Sequence, residues 1–252
     1  MGLSEKDIKF SVIASAVRSN LYKKCYDNIN ENNNTSFEMI FVGNKKPIEK
    51  MPNNFQYIYT EVAPVQCFEI AARCSIGEYL IISTDDTLFS PNYLDKINHY
   101  LSKLHMEKAL VGGRYQTNGI FYDNILTFDR KCSNSPVLPF LSAYKRSVFE
   151  ELGGFDRRFP YAKFDMDLAL RFYEYGYHPF VAPDAWGNEI RNKDICSSLC
   201  APTDRLGLKL CWRFWNDGYK ILKNRKLPVE SFEDKDILTV DQNNFWNDRK
   251  KT

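Results

Sequence analysis

The sequence predicts an α/β protein built on a mostly parallel sheet with helices on both faces. Three observations carry that reading. Short β-rich apolar blocks alternate with helical ones through the first half of the chain, the pattern of consecutive βαβ units. The block Leu-Ile-Ile at 80–82 is apolar and bounded by Gly77 and polar residues, which reads as a strand buried in a sheet. Directly behind it stand two adjacent carboxylates, Asp85 and Asp86, at the position where open α/β sheets bind ligands, beyond the carboxyl ends of the strands.

The elements follow in order. Residues 9–14 (KFSVIA) form the first strand and 20–30 a polar amphipathic helix; 37–42 (FEMIFV) and 55–60 (FQYIYT) are the second and third strands. Residues 65–75 read as a helix with Phe68, Ala71, Ala72 and Ser75 near one face, and Gly77 lies past its end as a C-cap. After the strand carrying the acid pair, 91–104 form a helix, with Ser90 as N-cap and Pro91 at the first helical position. A strand over 108–113 follows. In the second half, 137–144 read as a strand, 145–152 as a short helix ended by Gly153-Gly154, and 165–175 as a helix closed by Gly176. Residues 181–200 have little periodicity and read as a long loop, a length usually tied to function or disorder. A helix over 206–219 carries Trp212 and Trp215, and the chain is strongly polar beyond Lys223. Without internal repeats or a low-complexity linker, 1–223 read as one domain and 224–252 as a polar extension.

A chain of 252 residues can build a sizeable core within one larger α/β domain. A formal net charge of +2 offers no global field suited to nucleic acid. The seven cysteines occur singly, and Cys196 and Cys200 lack a second pair or a histidine partner at zinc spacing. A reduced, cytoplasmic protein is the simplest account. No segment reaches the about 18 consecutive apolar residues of a transmembrane span, and the polar start Met-Gly-Leu-Ser-Glu-Lys-Asp does not look like a secretory signal. Asn33-Asn34-Thr35 matches a glycosylation sequon by chance within an asparagine-rich loop.

Asp85 and Asp86 admit two readings: they hold a divalent cation, which takes hard oxygen ligands and bridges phosphates, or they cap the next helix. Ser90-Pro91 is the better cap, which favours the cation. A second block, Glu151-Leu-Gly-Gly-Phe-Asp156 continuing to Phe164-Asp-Met-Asp-Leu-Ala-Leu-Arg171 and Gly176-Tyr177, adds to it. Together with Gly77-Glu-Tyr and Thr84-Asp-Asp, it resembles the glycosyltransferase family 2 pattern on the GT-A fold. Ala71-Ala72-Arg73 looks like that family's A-R-N segment, and Leu110-Val-Gly-Gly113 like its strand after the metal motif. Each motif is weak alone; four in order, over roughly residues 9–180, are specific.

The resemblance implies a GT-A fold, with a Rossmann-like nucleotide-binding half over about 8–114 and an acceptor-binding half over about 115–223. It implies an inverting transferase that uses Mn²⁺ or Mg²⁺. Such an enzyme moves a sugar from a nucleotide-sugar, a UDP-sugar by default, to a hydroxyl of a glycan, lipid-linked or protein-linked acceptor, with peripheral membrane contact in the lipid-linked case. Asp86 is then a metal ligand, and Asp85 binds the donor ribose or helps place the metal. Asp165 is the catalytic base. Ser15, Asn44 and Arg73 face the donor, and Gly153, Gly154, Asp167 and Trp186 the acceptor.

The residues also have plainer readings. Asp165 and Asp167 stand at a helix start, where acids favour the dipole, and Asp167 is placed to pair with Arg171 one turn on. Gly153 and Gly154 suit a helix C-cap and turn. Trp186, Trp212 and Trp215 suit a core, with Trp186 best placed to stack on a sugar ring. The chain departs from the family pattern at Ser15-Ala16-Val17-Arg18, where Pro-Thr-Tyr-Asn is usual, and at Gly43-Asn44, where Asp-Asp is usual; Asn44 can still hydrogen-bond a base. Phe164 replaces a glutamate. Two rival functions are a sugar-phosphate nucleotidyltransferase, disfavoured because residues 15–20 hold no glycine, and a non-catalytic GT-A-like domain that binds a glycan or partner enzyme.

Overall fold

The computed structural model describes residues 8–104, 108–117, 119–122, 141–156, 164–190 and 230–231. In chain order these form β1 (Phe10–Ser15), α1 (Tyr22–Glu31), β2 (Phe37–Gly43), β3 (Phe55–Tyr59), α2 (Pro64–Cys74), β4 (Tyr79–Ile82), β5 (Thr87–Phe89), α3 (Tyr93–Lys103), β6 (Ala109–Thr117), β7 (Ile120–Tyr122), β8 (Ser142–Lys145), α4 (Arg146–Glu151), α5 (Phe164–Glu174), β9 (His178–Glu189) and β10 (Glu230–Ser231). The sheet runs β10-β9-β6-β8-β4-β1-β2-β3, with β5 paired to β9 and β7 to β6 off this path. Along the path every pairing is parallel except the two made by β8. The mostly parallel α/β sheet expected from the sequence is therefore the fold.

Both faces are covered, and the strand residues divide between them with period two. Val12, Ala14, Met39, Phe41, Ile81, Val111 and Ala143 pack with Tyr22, Cys25, Tyr26 and Ile29 of α1 and Tyr93, Leu94 and Ile97 of α3. Ile13, Ile40, Val42, Leu80, Ile82, Leu110 and Tyr144 pack on the other face with Phe68, Ala71 and Ala72 of α2, Val148 and Phe149 of α4, and Leu168 and Phe172 of α5. The continuous apolar runs in β1, β2 and β4 exist because neither strand face meets water. No helix among the described residues is long and apolar enough to cross a membrane.

Three local expectations are corrected. Helix α3 begins at Tyr93, not Pro91, with Asn92 at its N-cap in the left-handed region (φ 58°) and no side-chain cap from that residue. Ser90 is taken up by β9 instead: its N–H donates to the Trp186 carbonyl at 2.8 Å and its hydroxyl accepts from the Trp186 N–H at 3.1 Å. The start of α3 is capped from outside, because Asn33 Oδ1 accepts from the Leu94 N–H at 2.6 Å. Asp95 returns the contact by accepting from the Thr35 N–H at 2.7 Å, so the asparagine-rich sequon stretch is a stitch between α1 and α3.

The expected loop at 181–200 is, over its described part, the long strand β9, which runs to Glu189. Its periodicity is hidden because the register with β6 shifts between Gly113 and Arg114: Gly113 opposes Ala182 while Arg114 opposes Trp186. The intervening Pro183-Asp184-Ala185 is bulged, which is where a strand tolerates proline. The acid pair is also followed by a strand, β5, which no apolar alternation announced. Of the strand expected at 137–144, residues 142–144 lie in β8 and 137–140 outside the described residues, as does the helix expected at 206–219. Glu230–Ser231, within the polar extension, pairs with β9.

Gly43 ends β2 against the exit of β1. A Cβ there would stand 1.8 Å from the Ala16 carbonyl oxygen, a backbone atom that cannot turn aside. Gly43→Ala is expected to lose about 2–3 kcal/mol in urea unfolding. Gly153→Ala, where φ is +85° but nothing lies within 4 Å, loses about 1 kcal/mol.

Candidate active site

Strands β1 and β4 are parallel neighbours, so their carboxyl ends open at the same edge and the segments leaving them meet. Asp85 ties them together. Its Oδ2 accepts from the backbone N–H groups of Val17 and Arg18, each at 2.6 Å, and its Oδ1 from Arg18 Nη1. The Asp85 carbonyl takes a weak bond from Cys25 Sγ at 3.4 Å. Asp85 is fully buried, and these donors replace the water it has lost, as a buried charge requires.

Asp86 differs sharply from its neighbour. It too is buried, yet among the described residues neither of its carboxylate oxygens meets the full geometry of a hydrogen bond, the Thr84 hydroxyl standing only near enough to favour the charged form. Arg18 Nε stands 3.4 Å from Oδ2 as an ion pair. Burial pushes the Asp86 carboxyl up to about 6; the Thr84 hydroxyl and Arg18 pull against that, while Glu189 and Asp85 add to it. Glu189 ends β9, is buried, and accepts from the Tyr115 hydroxyl. The adjoining Ile190 N–H donates to the Asp86 carbonyl at 2.9 Å, which fastens β9 to the acid pair.

Among the described residues Asp85 and Asp86 share the Arg18 guanidinium, with Glu189 buried close by. The two Asp86 oxygens without hydrogen bonds fit a divalent cation. No group of three metal-ligating side chains occurs among the described residues, so Asp86 would be the anchoring ligand. The other positions would be left to phosphate oxygens and water, the usual manner of Mg²⁺. Asp85, expected to bind the donor ribose or help place the metal, accepts three hydrogen bonds from Val17 and Arg18.

Helix α5 leads into β9, which runs parallel to β6 and hence in the direction of β4. Its first turn, with Asp165 half-buried, therefore lies at the edge where β4 delivers the acid pair. Phe164 stacks on Phe68 of α2 with ring centroids 5.3 Å apart. Asp167 is buried, and its Oδ2 accepts from Arg171 Nε at 2.9 Å. Arg171 Nη1 in turn donates to the carbonyls of Leu152 and Gly154, both at 2.8 Å. Asp167, expected on the acceptor side, thus braces the glycine turn through Arg171.

Gly153 and Gly154 end α4 in a Schellman motif. Both have positive φ, Gly153 N–H donates to the Glu150 carbonyl at 3.0 Å, and Gly154 N–H to that of Phe149 at 2.9 Å. Glu69 holds the turn from the α2 side, accepting from the Phe155 N–H at 2.8 Å.

Ser15 closes β1, half-buried, and Asn44 follows β2, exposed; both are at the acid-pair edge. Arg73 is not. Helix α2 runs back from that edge, so its last turn lies at the opposite end of the strands, where Arg73 pairs with Glu69 at 2.7 Å and is about half exposed. Trp186 lies within β9, half-buried, rather than in a loop. Sequence reasoning missed Arg18 and Glu189. For Arg18 a signal existed, a cation just after β1 facing acids just after a neighbouring strand; Glu189 was hidden by the bulge in β9.

No protein-family model and no curated protein matches the sequence. Among solved structures, the chain is similar to S. aureus TarS, with 14% identity and a TM-score of 0.51 over 73% of this chain and 36% of TarS. It is also similar to GalNAc-T7 in a complex with UDP, GalNAc and Mn²⁺, with 13% identity and a TM-score of 0.63 over 86% of this chain and 50% of GalNAc-T7. The chain thus spans about a third of one and half of the other. The fold is that of the GT-A glycosyltransferases.

The raised carboxyl of Asp86 sets a pH signature. Its folded-state value lies above its ordinary one, so the stability it favours is full below about 4 and is lost as pH rises through about 6. In metal-free buffer, urea unfolding of the wild type should lose about 3 kcal/mol across that window relative to Asp86→Asn, which cannot titrate. Parallel pH profiles for the two proteins would show that the carboxyl is not held in this way.

Proposed function

We propose that the chain is an inverting glycosyltransferase that binds a nucleotide-sugar at the carboxyl edge of β1, β2 and β4 and holds a divalent cation, Mn²⁺ or Mg²⁺, through Asp86. The observation that carries this reading is the buried, unbonded pair of Asp86 oxygens at that edge. Such a group is costly unless a ligand completes it. The GT-A fold supports the reading, because ligands of open α/β sheets bind beyond the carboxyl ends of the strands. The UDP of the GalNAc-T7 complex makes a uridine nucleotide the first donor to test. Asn44, exposed just beyond β2, is the side chain offered to the base, and Ser15 that offered to the donor beside it.

When bound, the cation neutralises charge that builds on the departing diphosphate. The protein's own task is then to orient the acceptor and remove its proton. A hydroxyl is far too weak an acid to react unaided at neutral pH, and a positioned carboxylate supplies about 10²–10⁴-fold. Asp165 takes that proton as the new glycosidic bond forms, and direct displacement inverts the anomeric carbon. The Phe68–Phe164 stack and the Asp167–Arg171 brace hold the turn that presents it. The acceptor is a hydroxyl of a glycan, lipid-linked or protein-linked substrate bound on the α5 side.

Calorimetry of UDP binding, with Mn²⁺ or with EDTA, tests the site. Wild type should bind at least about tenfold tighter with Mn²⁺, and Asp86→Ala should lose that difference. Equal affinity under all four conditions would remove the reading. Asp165→Asn should cut transfer, or acceptor-free hydrolysis of the donor, by about 10²–10⁴-fold while UDP affinity and melting temperature stay level. Full activity in that variant would exclude Asp165 as the base.

A further inference from the structure

Arg18 is the cation the folded chain already keeps at this site. Its placement is unusually rigid for a long side chain. Its own N–H and that of Val17 are bonded to Asp85, its Nη1 is on the same carboxylate, and its Nε lies 3.4 Å from Asp86 Oδ2. The side chain is only 12% exposed, so solvent screens it little.

Two consequences follow for any ion that binds Asp86. By engaging Asp85 on both oxygens, Arg18 and the adjoining N–H groups leave Asp86 alone to face the ion, although the two carboxylates are neighbours in sequence. Arg18 also fixes a positive charge beside Asp86, where a second cation meets repulsion that the buried surroundings do not relieve. A nucleoside diphosphate changes that balance. Its oxygens bring negative charge that a guanidinium and a divalent ion can share, since both bind phosphate well.

We infer that Arg18 is a positioning residue that makes cation uptake at Asp86 depend on the nucleoside diphosphate: the bare site disfavours the ion, and the nucleotide and the ion enter as a coupled pair. This rests on the reading of Asp86 given above. Because coupling between two ligands is reciprocal, the same residue sets how strongly the ion tightens the nucleotide.

Mn²⁺ titrations of the full chain, followed by the electron paramagnetic resonance signal of free Mn²⁺, test this with and without saturating UDP. Wild type should bind Mn²⁺ about tenfold or more tighter with UDP than alone. Arg18→Gln should bind Mn²⁺ alone about tenfold tighter than wild type, with a smaller gain from UDP. Arg18→Lys, which keeps the charge, should stay close to wild type. A gain of affinity is not what a loosened fold produces, so the direction separates this role from a structural one.

Mn²⁺ binding to Arg18→Gln no tighter than to wild type would overturn the inference while leaving the site reading intact, as would Arg18→Lys behaving like Arg18→Gln. If Arg18→Gln does not fold, the wild type decides alone, because equal Mn²⁺ affinity with and without UDP also overturns it. Failure of Mn²⁺ to bind any variant, UDP present, would remove the cation site and the inference together.

Discussion

The carboxylate of Asp85 is the point on which this edge of the molecule depends. Parallel neighbours such as β1 and β4 are joined by hydrogen bonds only along their paired lengths; beyond their ends the two segments have no ladder. Asp85 supplies the missing connection, accepting from two successive backbone N–H groups and from the Arg18 side chain. That contact sets the path from β1 into α1, and with it the place of Ser15. It also brings Arg18 beside Asp86. Breaking it would strand a buried carboxylate and an arginine at once, the kind of loss that costs several kcal/mol.

A second constraint acts from the other half of the sheet. The antiparallel insertion of β8 between β4 and β6 reverses the chain and lets α4 and α5 cover the α2 face. The turn between them is held three ways: by the Schellman bonds of Gly153 and Gly154, by Glu69 on the Phe155 N–H, and by Arg171 on two of its carbonyls. Asp167 keeps Arg171 aimed. The motif that resembles an active-site signature is therefore, in large part, the device that sets the entry of α5. Asp165 stands half-buried in the first turn of the helix so placed.

Much of this was legible in sequence because its physics is local. The alternation of apolar blocks and amphipathic helices identifies β1, β2, β3, α1, α2 and the covered sheet, since the strands keep apolar runs such as 12–14 and 39–42 despite isolated polar residues like Ser11 and Glu38. Gly153-Gly154 announce their turn because only glycine enters positive φ freely. What was illegible is non-local. Residues 181–189 look irregular because the bulge at Pro183 puts three residues out of register, and only pairing with β6 reveals a strand. Ser90-Pro91 carry a cap signature, yet Ser90 is claimed by Trp186, remote in sequence. Arg73 fits a motif by letter but stands at the wrong end of α2. Its position along the helix, rather than its neighbours, decides which edge it reaches.

Asp85 and Asp86 show how little residue type alone determines. They are adjacent, equally buried, and share Arg18, but one faces a loop rich in N–H groups and the other faces Glu189. The two are the central residues of a turn closed by the Thr87 N–H on the Thr84 carbonyl at 3.3 Å, so a single step in sequence divides a structural acid from one kept short of partners. A chain selected for stability alone would not bury the second. Asparagine or serine would fill the space without ionising, and the usual consistency between burial and pairing would be kept. Among the described residues the Tyr144 hydroxyl is also buried without a hydrogen bond, but at Asp86 both carboxylate oxygens are left so, at the sheet edge where ligands bind in this class of fold. Among the described residues, groups around Asp86 are tied down: Tyr115 on Glu189, Arg18 on Asp85, and Ile190 on the Asp86 carbonyl. Rigid surroundings of that kind prevent Asp86 from relaxing toward a donor of its own, which keeps its affinity available for a ligand.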